Sequence, residues 1–194
     1  MKRIVLASTS KYRKRLMAEA GFEVECVNPC YEETVIEGIS PLEQISQFAL
    51  GKAKNVYKMH PECIVIGSDQ GLVEGEMWLG KPGSVEAACA QLKRLRGKTA
   101  ILATSVVVIS GDNVQHEQNR AELHFRENIS DESIERYVKS DMPLDCAGSF
   151  KIESRGVRLF SSIICDDPTA IQGLPMMALN RMILAVEPEY DTIF

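Results

Sequence analysis

The opening fifteen residues limit the fold more than any other stretch of the chain. Ile4-Val5-Leu6-Ala7 reads as a short buried strand, the hydroxyl residues Ser8, Thr9 and Ser10 follow, and a helix begins at once with Ser10 as its N-cap. A second run, Cys63-Ile64-Val65-Ile66, has the unbroken apolar character of a strand covered on both faces, which occurs in α/β sheets. The charge of the first helix start is unusual. Helix N-termini favour acids by roughly 0.3–1 kcal/mol each, yet this turn carries Lys11, Arg13 and Lys14, with no acid before Glu19. Backbone N–H groups, flanking hydroxyls and cations together make an anion site, and phosphate fits it best. The plainer reading is a solvated basic helix end. Neither glycine-rich phosphate signature, G-x-x-x-x-G-K-[ST] or G-x-G-x-x-G, is present.

At 194 residues, 45% hydrophobic and 25% charged, the chain is expected to form one domain over 1–194. Its net charge of −5 argues against a general binder of nucleic-acid polymers or acidic membranes, so any basic site must be local. The first apolar run is too short for a signal-peptide core or a membrane span, and a cytoplasmic location is expected. Six cysteines without a C-x-x-C pair, and three histidines without zinc-ligand spacing, point to reduced and mostly packed thiols.

Along the chain, Gly21 is expected to stop the first helix, and Phe22 to Val27 alternates like a strand. Glu32 and Glu33 sit side by side in a polar loop, as solvated surface or, given a partner carboxylate, as metal ligands. Ser40-Pro41-Leu42-Glu43 is a capping box that starts a helix running to about Met59. Lys52 falls in the middle of that helix's apolar stripe, where it either snorkels to water or reaches into a cleft to hold a charged ligand. Gly67-Ser68-Asp69-Gln70 follows the second apolar run directly, and ligands of open α/β sheets collect beyond the carboxyl ends of such strands. Asp69 there can bind a divalent metal or take a proton from water, or it can cap a turn. Gly80-Lys81-Pro82-Gly83 is a turn that presents Lys81. Residues 84–96 form an amphipathic helix, 100–110 and 121–126 a hairpin with His116 and His124 on polar positions, and 130–139 a further helix. Phe150-Lys151-Ile152-Glu153 alternates like a strand, and the methionines of the last helix, Met176, Met177 and Met182, read as core filling.

Seven segments in one order, Ser8-Thr9-Ser10-Lys11-Tyr12-Arg13, Glu32-Glu33-Thr34, Lys52-Ala53, Gly67-Ser68-Asp69-Gln70, Gly80-Lys81-Pro82, Ala147-Gly148-Ser149-Phe150-Lys151 and Gly173-Leu174-Pro175, resemble the Maf family of nucleotide pyrophosphatases over nearly the full chain. The resemblance implies an elongated mixed β-sheet flanked by helices, of the inosine-triphosphate-pyrophosphatase type, with two lobes, a deep cleft and a possible homodimer. It implies hydrolysis of a nucleoside triphosphate to the monophosphate and pyrophosphate with a divalent metal cation (Mg²⁺, Mn²⁺ or Co²⁺). Asp69 would then be the catalytic proton acceptor and, with Glu33, a metal ligand. Ser8, Ser10, Arg13, Lys52 and Lys81 would hold phosphate. Tyr12, Gln70 and Glu153 would read the base: Gln after Asp69, and Glu at 153, resemble the 7-methyl-GTP branch, whereas the UTP/dTTP branch has Thr and Gln there. The family's first motif has Pro where this chain has Lys11, which removes the fixed φ that proline gives that loop. The alternatives are a Maf pyrophosphatase acting on UTP or dTTP and a nucleotide-binding regulator of cell division with little turnover.

Overall fold

The computed structural model describes residues 1–191. It is a mixed α/β protein, with a seven-stranded sheet in the order β2-β1-β3-β5-β6-β7 and β4 paired to β3 off that path. The chain divides into two compact units, one of residues 1–69, 104–119 and 167 onward, the other of residues 70–103 and 120–166. The division falls inside three long strands: β3 (Ile64–Glu74), β5 (Thr99–Ser110) and β6 (Asn113–Phe125).

In the first unit, β1 (Ile4–Ala7) pairs in parallel with both β2 (Val24–Cys26) and β3. Its apolar runs are continuous because helices cover both faces. Ile4, Leu6, Ile64 and Ile66 pack with Leu16 and Met17 of α1 (Lys11–Glu19) and with Leu179, Met182 and Ile183 of α5 (Met176–Val186). The alternate residues turn to α2 (Pro41–Tyr57): Val5, Ala7 and Val65 meet Val56, while Val107 and Ile109 of β5 meet Ala49 and Ala53. Helix α2 starts where its capping box predicts, with Ser40 Oγ accepting from Glu43 N and Glu43 Oε2 accepting from Ser40 N at 2.8 Å. Met177 departs from the expectation of core filling, since it lies 55% exposed on the outer side of α5.

In the second unit, β4 (Met77–Leu79) pairs antiparallel with the end of β3, and β7 (Phe160–Cys165) with the end of β6. Helices α3 (Val85–Leu95) and α4 (Asp131–Asp141) start at the N-caps Ser84 and Ser130. The alternation at 150–153 does not become a strand. A 3₁₀ turn at Ala147–Ser149 runs into an irregular segment in which Lys151 N donates to the Tyr137 hydroxyl and not to a neighbouring strand, while Phe150 packs against Phe125 and Phe160.

Candidate functional site

Two close approaches build the charged centre of the first unit. A Cβ on Gly67 would lie 2.4 Å from the Ala49 carbonyl oxygen and 2.7 Å from the Ala53 nitrogen, so glycine lets β3 press directly on α2. Side chains on one face of a strand recur every second residue, which turns Asp69 toward α2 as well. Lys52, beside Ala53, meets it there with Nζ 2.5 Å from Oδ1. The second approach brings in the loop before α2. The Tyr31 ring lies over Gly51, where a Cβ would fall 2.2 Å from the ring, and Glu33 two residues on places Oε1 2.5 Å from the same Lys52 nitrogen. Lys52 therefore does not snorkel to water; it is buried between two carboxylates.

The expected site residues divide by unit. The first unit brings Ser8, Ser10, Arg13, Glu33, Lys52 and Asp69 into one connected network. Arg13 Nη1 donates to Ser8 Oγ at 3.3 Å and to the carbonyl of Ser68, the residue before Asp69, at 2.8 Å; its Nε donates to the Gly173 carbonyl at 2.7 Å. Ser8 Oγ also accepts from Ser10 N, and Ser10 Oγ caps α1 by accepting from Arg13 N. Among the described residues Arg13 Nη2 makes no such bond, which leaves two donors directed by a rigid frame. Tyr12 is half-buried on α1, with the Lys11 ammonium 5.0 Å from its ring centre. Gln70, Lys81 and Glu153 belong to the second unit. Gln70 is half-buried on β3, whereas Lys81 and Glu153 are exposed in loops.

Asp69 is not beyond the carboxyl end of its strand, as the sequence suggested. Strand β3 continues to Glu74, and Asp69 lies inside it, 6% exposed. Burial pushes its carboxyl above the ordinary carboxylate range, opposed by the charges of Lys52 and Arg13. Burial also lowers the Arg13 guanidinium, against the pull of Asp69 and Glu33. Asp69 Oδ2 is buried and has no hydrogen-bond partner among the described residues. The carboxylate is thus anchored through Oδ1 with its second oxygen unused, an arrangement suited to accepting a proton or a cation.

Tyr31, Gly51 and Gly67 position this network although no motif reading picked them out. The available signal was Gly51 in a helix interior, where glycine costs about 1 kcal/mol relative to alanine unless close packing requires it. A separate group, His60, Glu62 and Cys63, brings its ligand atoms within 4.8 Å of one another, so His60 is better placed for a metal than its sequence spacing suggested. It lies at the start of β3, six residues from Asp69 and about 20 Å away at the rise of a strand, and Glu62 is already engaged by Arg3 and Cys63. No helix among the described residues is long and apolar enough to cross a membrane.

The sequence profile described as Maf-like protein matches residues 3–186. A protein of Aromatoleum aromaticum named 7-methyl-GTP pyrophosphatase is 44% identical over 186 residues, 94% of this chain and 95% of its own length. One of the same name from Albidiferax ferrireducens is 39% identical, over 95% of this chain and 93% of its own. Among solved structures, Vibrio cholerae protein VC0702 aligns over 98% of both chains at 14% identity with a TM-score of 0.46. With its profile matched from residue 3 to residue 186 and relatives of 44% and 39% identity along nearly their full length, the chain belongs to the Maf family.

Proposed function

We propose that this protein hydrolyses 7-methyl-GTP to 7-methyl-GMP and pyrophosphate. One observation carries the chemistry: a buried carboxylate, Asp69, held at Oδ1 by Lys52 and unpartnered at Oδ2. Water attacks the α-phosphorus, the bond to the oxygen bridging to the β-phosphorus breaks, and the electron pair leaves on pyrophosphate. Asp69 Oδ2 takes the water's proton, a role helped by a pKa raised through burial. Arg13 Nη2, with the hydroxyls of Ser8 and Ser10, binds phosphate oxygens, and the frame around Arg13 pre-orients that donor so that little is reorganised as charge develops. Lys52 fixes both carboxylates and adds positive charge beside them. The part of Lys81 in holding phosphate, and of Tyr12, Gln70 and Glu153 in reading the methylated base, rests on the motif resemblance and on the names of the relatives.

The donor set also fits a divalent cation. Glu33 and Asp69 present oxygens no more than about 5 Å apart, twice the 2.5 Å that separates each from Lys52 Nζ. Carboxylate oxygens suit Mg²⁺ and Mn²⁺, and the two that face each other, Glu33 Oε1 and Asp69 Oδ1, would hold such an ion while the buried Asp69 Oδ2 stays available for the proton. Bound there, a divalent metal would neutralise phosphate charge in the transition state.

The test is pyrophosphate release from 7-methyl-GTP, GTP, UTP and dTTP, with and without Mg²⁺ or Mn²⁺. Highest kcat/KM on 7-methyl-GTP is expected. Equal or better turnover of UTP would move the protein to the other branch, and turnover of none would leave a nucleotide-binding regulator. A cytoplasmic location and a homodimer accompany this reading, and fractionation and light scattering test them.

A further inference from the structure

The second unit holds a cavity of about 630 Å³ into which four arginines project, Arg126, Arg136, Arg155 and Arg158, among serines and Asn128, with no acidic residue in its lining. On a chain of net charge −5 this is a local concentration of positive charge. Arg155 is partly neutralised, its Nη1 lying 3.4 Å from Asp141 Oδ1. The other three make no ion pair among the described residues: Arg126 Nη1 donates to the Arg158 carbonyl at 3.0 Å and Arg136 Nη2 to Ser133 Oγ at 3.0 Å, while the Arg158 guanidinium makes no hydrogen bond. Of the nearby acids, Asp131 pairs with Lys93 and Arg96, while Glu132 bonds to its own backbone amide and to Ser130 and partly offsets the charge of Arg136 without forming an ion pair with it. Four guanidiniums around one cavity, two without a carboxylate and two only partly offset by Asp141 and Glu132, repel each other, a cost that a multiply charged anion would reverse.

We propose that this arginine cavity binds a diphosphate group, carried either by free pyrophosphate or by a nucleoside di- or triphosphate. The charge decides between phosphates. One phosphate brings about −1.5 to −2, too little for four guanidiniums of which two are only partly offset, whereas two linked phosphates supply about −3 to −4. Planar guanidiniums also bind phosphate oxygens two at a time, and each keeps free N–H donors here. The volume lies in the range of pockets that hold whole small molecules, so a nucleoside attached to the diphosphate has room. None of these residues belongs to the Asp69 network.

Calorimetric titration of inorganic pyrophosphate, orthophosphate and GDP without added metal, into wild type, Arg126→Gln/Arg158→Gln and Asp69→Asn, tests the assignment. Pyrophosphate binding at least tenfold tighter than orthophosphate is expected, retained in Asp69→Asn and weakened at least tenfold in the double variant. GDP binding tighter than pyrophosphate would identify the nucleotide as occupant, and weaker binding the free anion. Amide shifts on titration should centre on Ser133 and Ser140. Pyrophosphate affinity unchanged in the double variant, shifts confined to residues 8–13 and 67–69, or binding of a single-stranded RNA oligomer but not of pyrophosphate would overturn it. Arg126 and Arg158 are exposed, and matching melting curves for the three proteins check that the fold is intact.

Discussion

Replacing Lys52 by methionine separates two physical accounts of the same residue. Judged by the apolar stripe of α2 alone, Lys52→Met is neutral or stabilising, because methionine suits the face shared with Phe48, Ala49 and Val56. The ion pairs predict the opposite. Lys52 is 8% exposed and its nitrogen lies 2.5 Å from both Asp69 and Glu33, and its removal leaves two carboxylates near each other with Asp69 still buried. Breaking a buried pair by deleting one partner costs about 3–5 kcal/mol. Repulsion between unit charges about 5 Å apart at an effective dielectric of 20 comes to about 3 kcal/mol. Because the Glu33 side chain is 43% exposed and can turn to water, the low end, about 3 kcal/mol, is expected. For a chain of this length that is a fall in Tm of about 6–12 °C at pH 8. The fall must shrink with acid. The Asp69 carboxyl already sits above its ordinary value in the folded protein, and losing Lys52 raises it further. A group raised in this way favours the fold when protonated and disfavours it as pH climbs through its folded pKa, so the variant recovers stability as pH falls through that raised pKa toward the ordinary carboxylate range. Melting curves of both proteins at three pH values measure this. A Tm for Lys52→Met within 2 °C of wild type at pH 8, or a deficit independent of pH, would refute the reasoning.

Asp69→Asn keeps the shape and removes the anion, so kcat/KM for pyrophosphate release is expected to fall at least about 10²–10⁴-fold while circular dichroism shows a folded chain; activity within threefold of wild type would remove Asp69 from the chemistry. Gly51→Ala gains about 1 kcal/mol of helix propensity but displaces the Tyr31 ring, which a Cβ would approach to 2.2 Å. Its Tm should therefore change little while kcat/KM drops, and full activity would show that the Tyr31 contact does not place Glu33. Glu153→Gln exchanges a charged acceptor for a neutral one, a difference of about 1 kcal/mol. The ratio of kcat/KM for 7-methyl-GTP to that for GTP should fall about fivefold, and an unchanged ratio would exclude Glu153 from base recognition.

What could be read from the sequence was local. The strand-to-helix opening at residues 4–15, the capping box at Ser40 and the unbroken apolar runs each follow from rules that act over a few residues, and the structure has them all. Lys52 stood out because a cation in the middle of an apolar stripe conflicts with its surroundings, and the conflict is resolved by Asp69 and Glu33. The misread segments were those in which one residue type serves two purposes. Gly67 reads as a strand end, since glycine disfavours strands, but its role is to admit the backbone of α2, so β3 runs on through Asp69 to Glu74. The four residues 150–153 alternate, yet a strand also needs an edge to pair with, and here the Tyr137 hydroxyl takes the Lys151 amide instead.

The arginines at 126, 136, 155 and 158 show the other limit. They come from the end of a strand, the middle of a helix and a 3₁₀ turn, spaced irregularly over 33 positions, and no sequence pattern relates them. A chain of net charge −5 has acids to spare for its cations, and several pair with them here: Arg94 and Lys98 share Glu74, Lys93 and Arg96 share Asp131, and Arg181 pairs with Glu117. Against that background, Arg126 and Arg158 share one cavity with no carboxylate on either, beside Arg136 and Arg155, which are only partly offset by Glu132 and Asp141. Each exposed pair given up costs at most about 1 kcal/mol, so a modest loss of stability suffices to keep an anion site ready for its ligand.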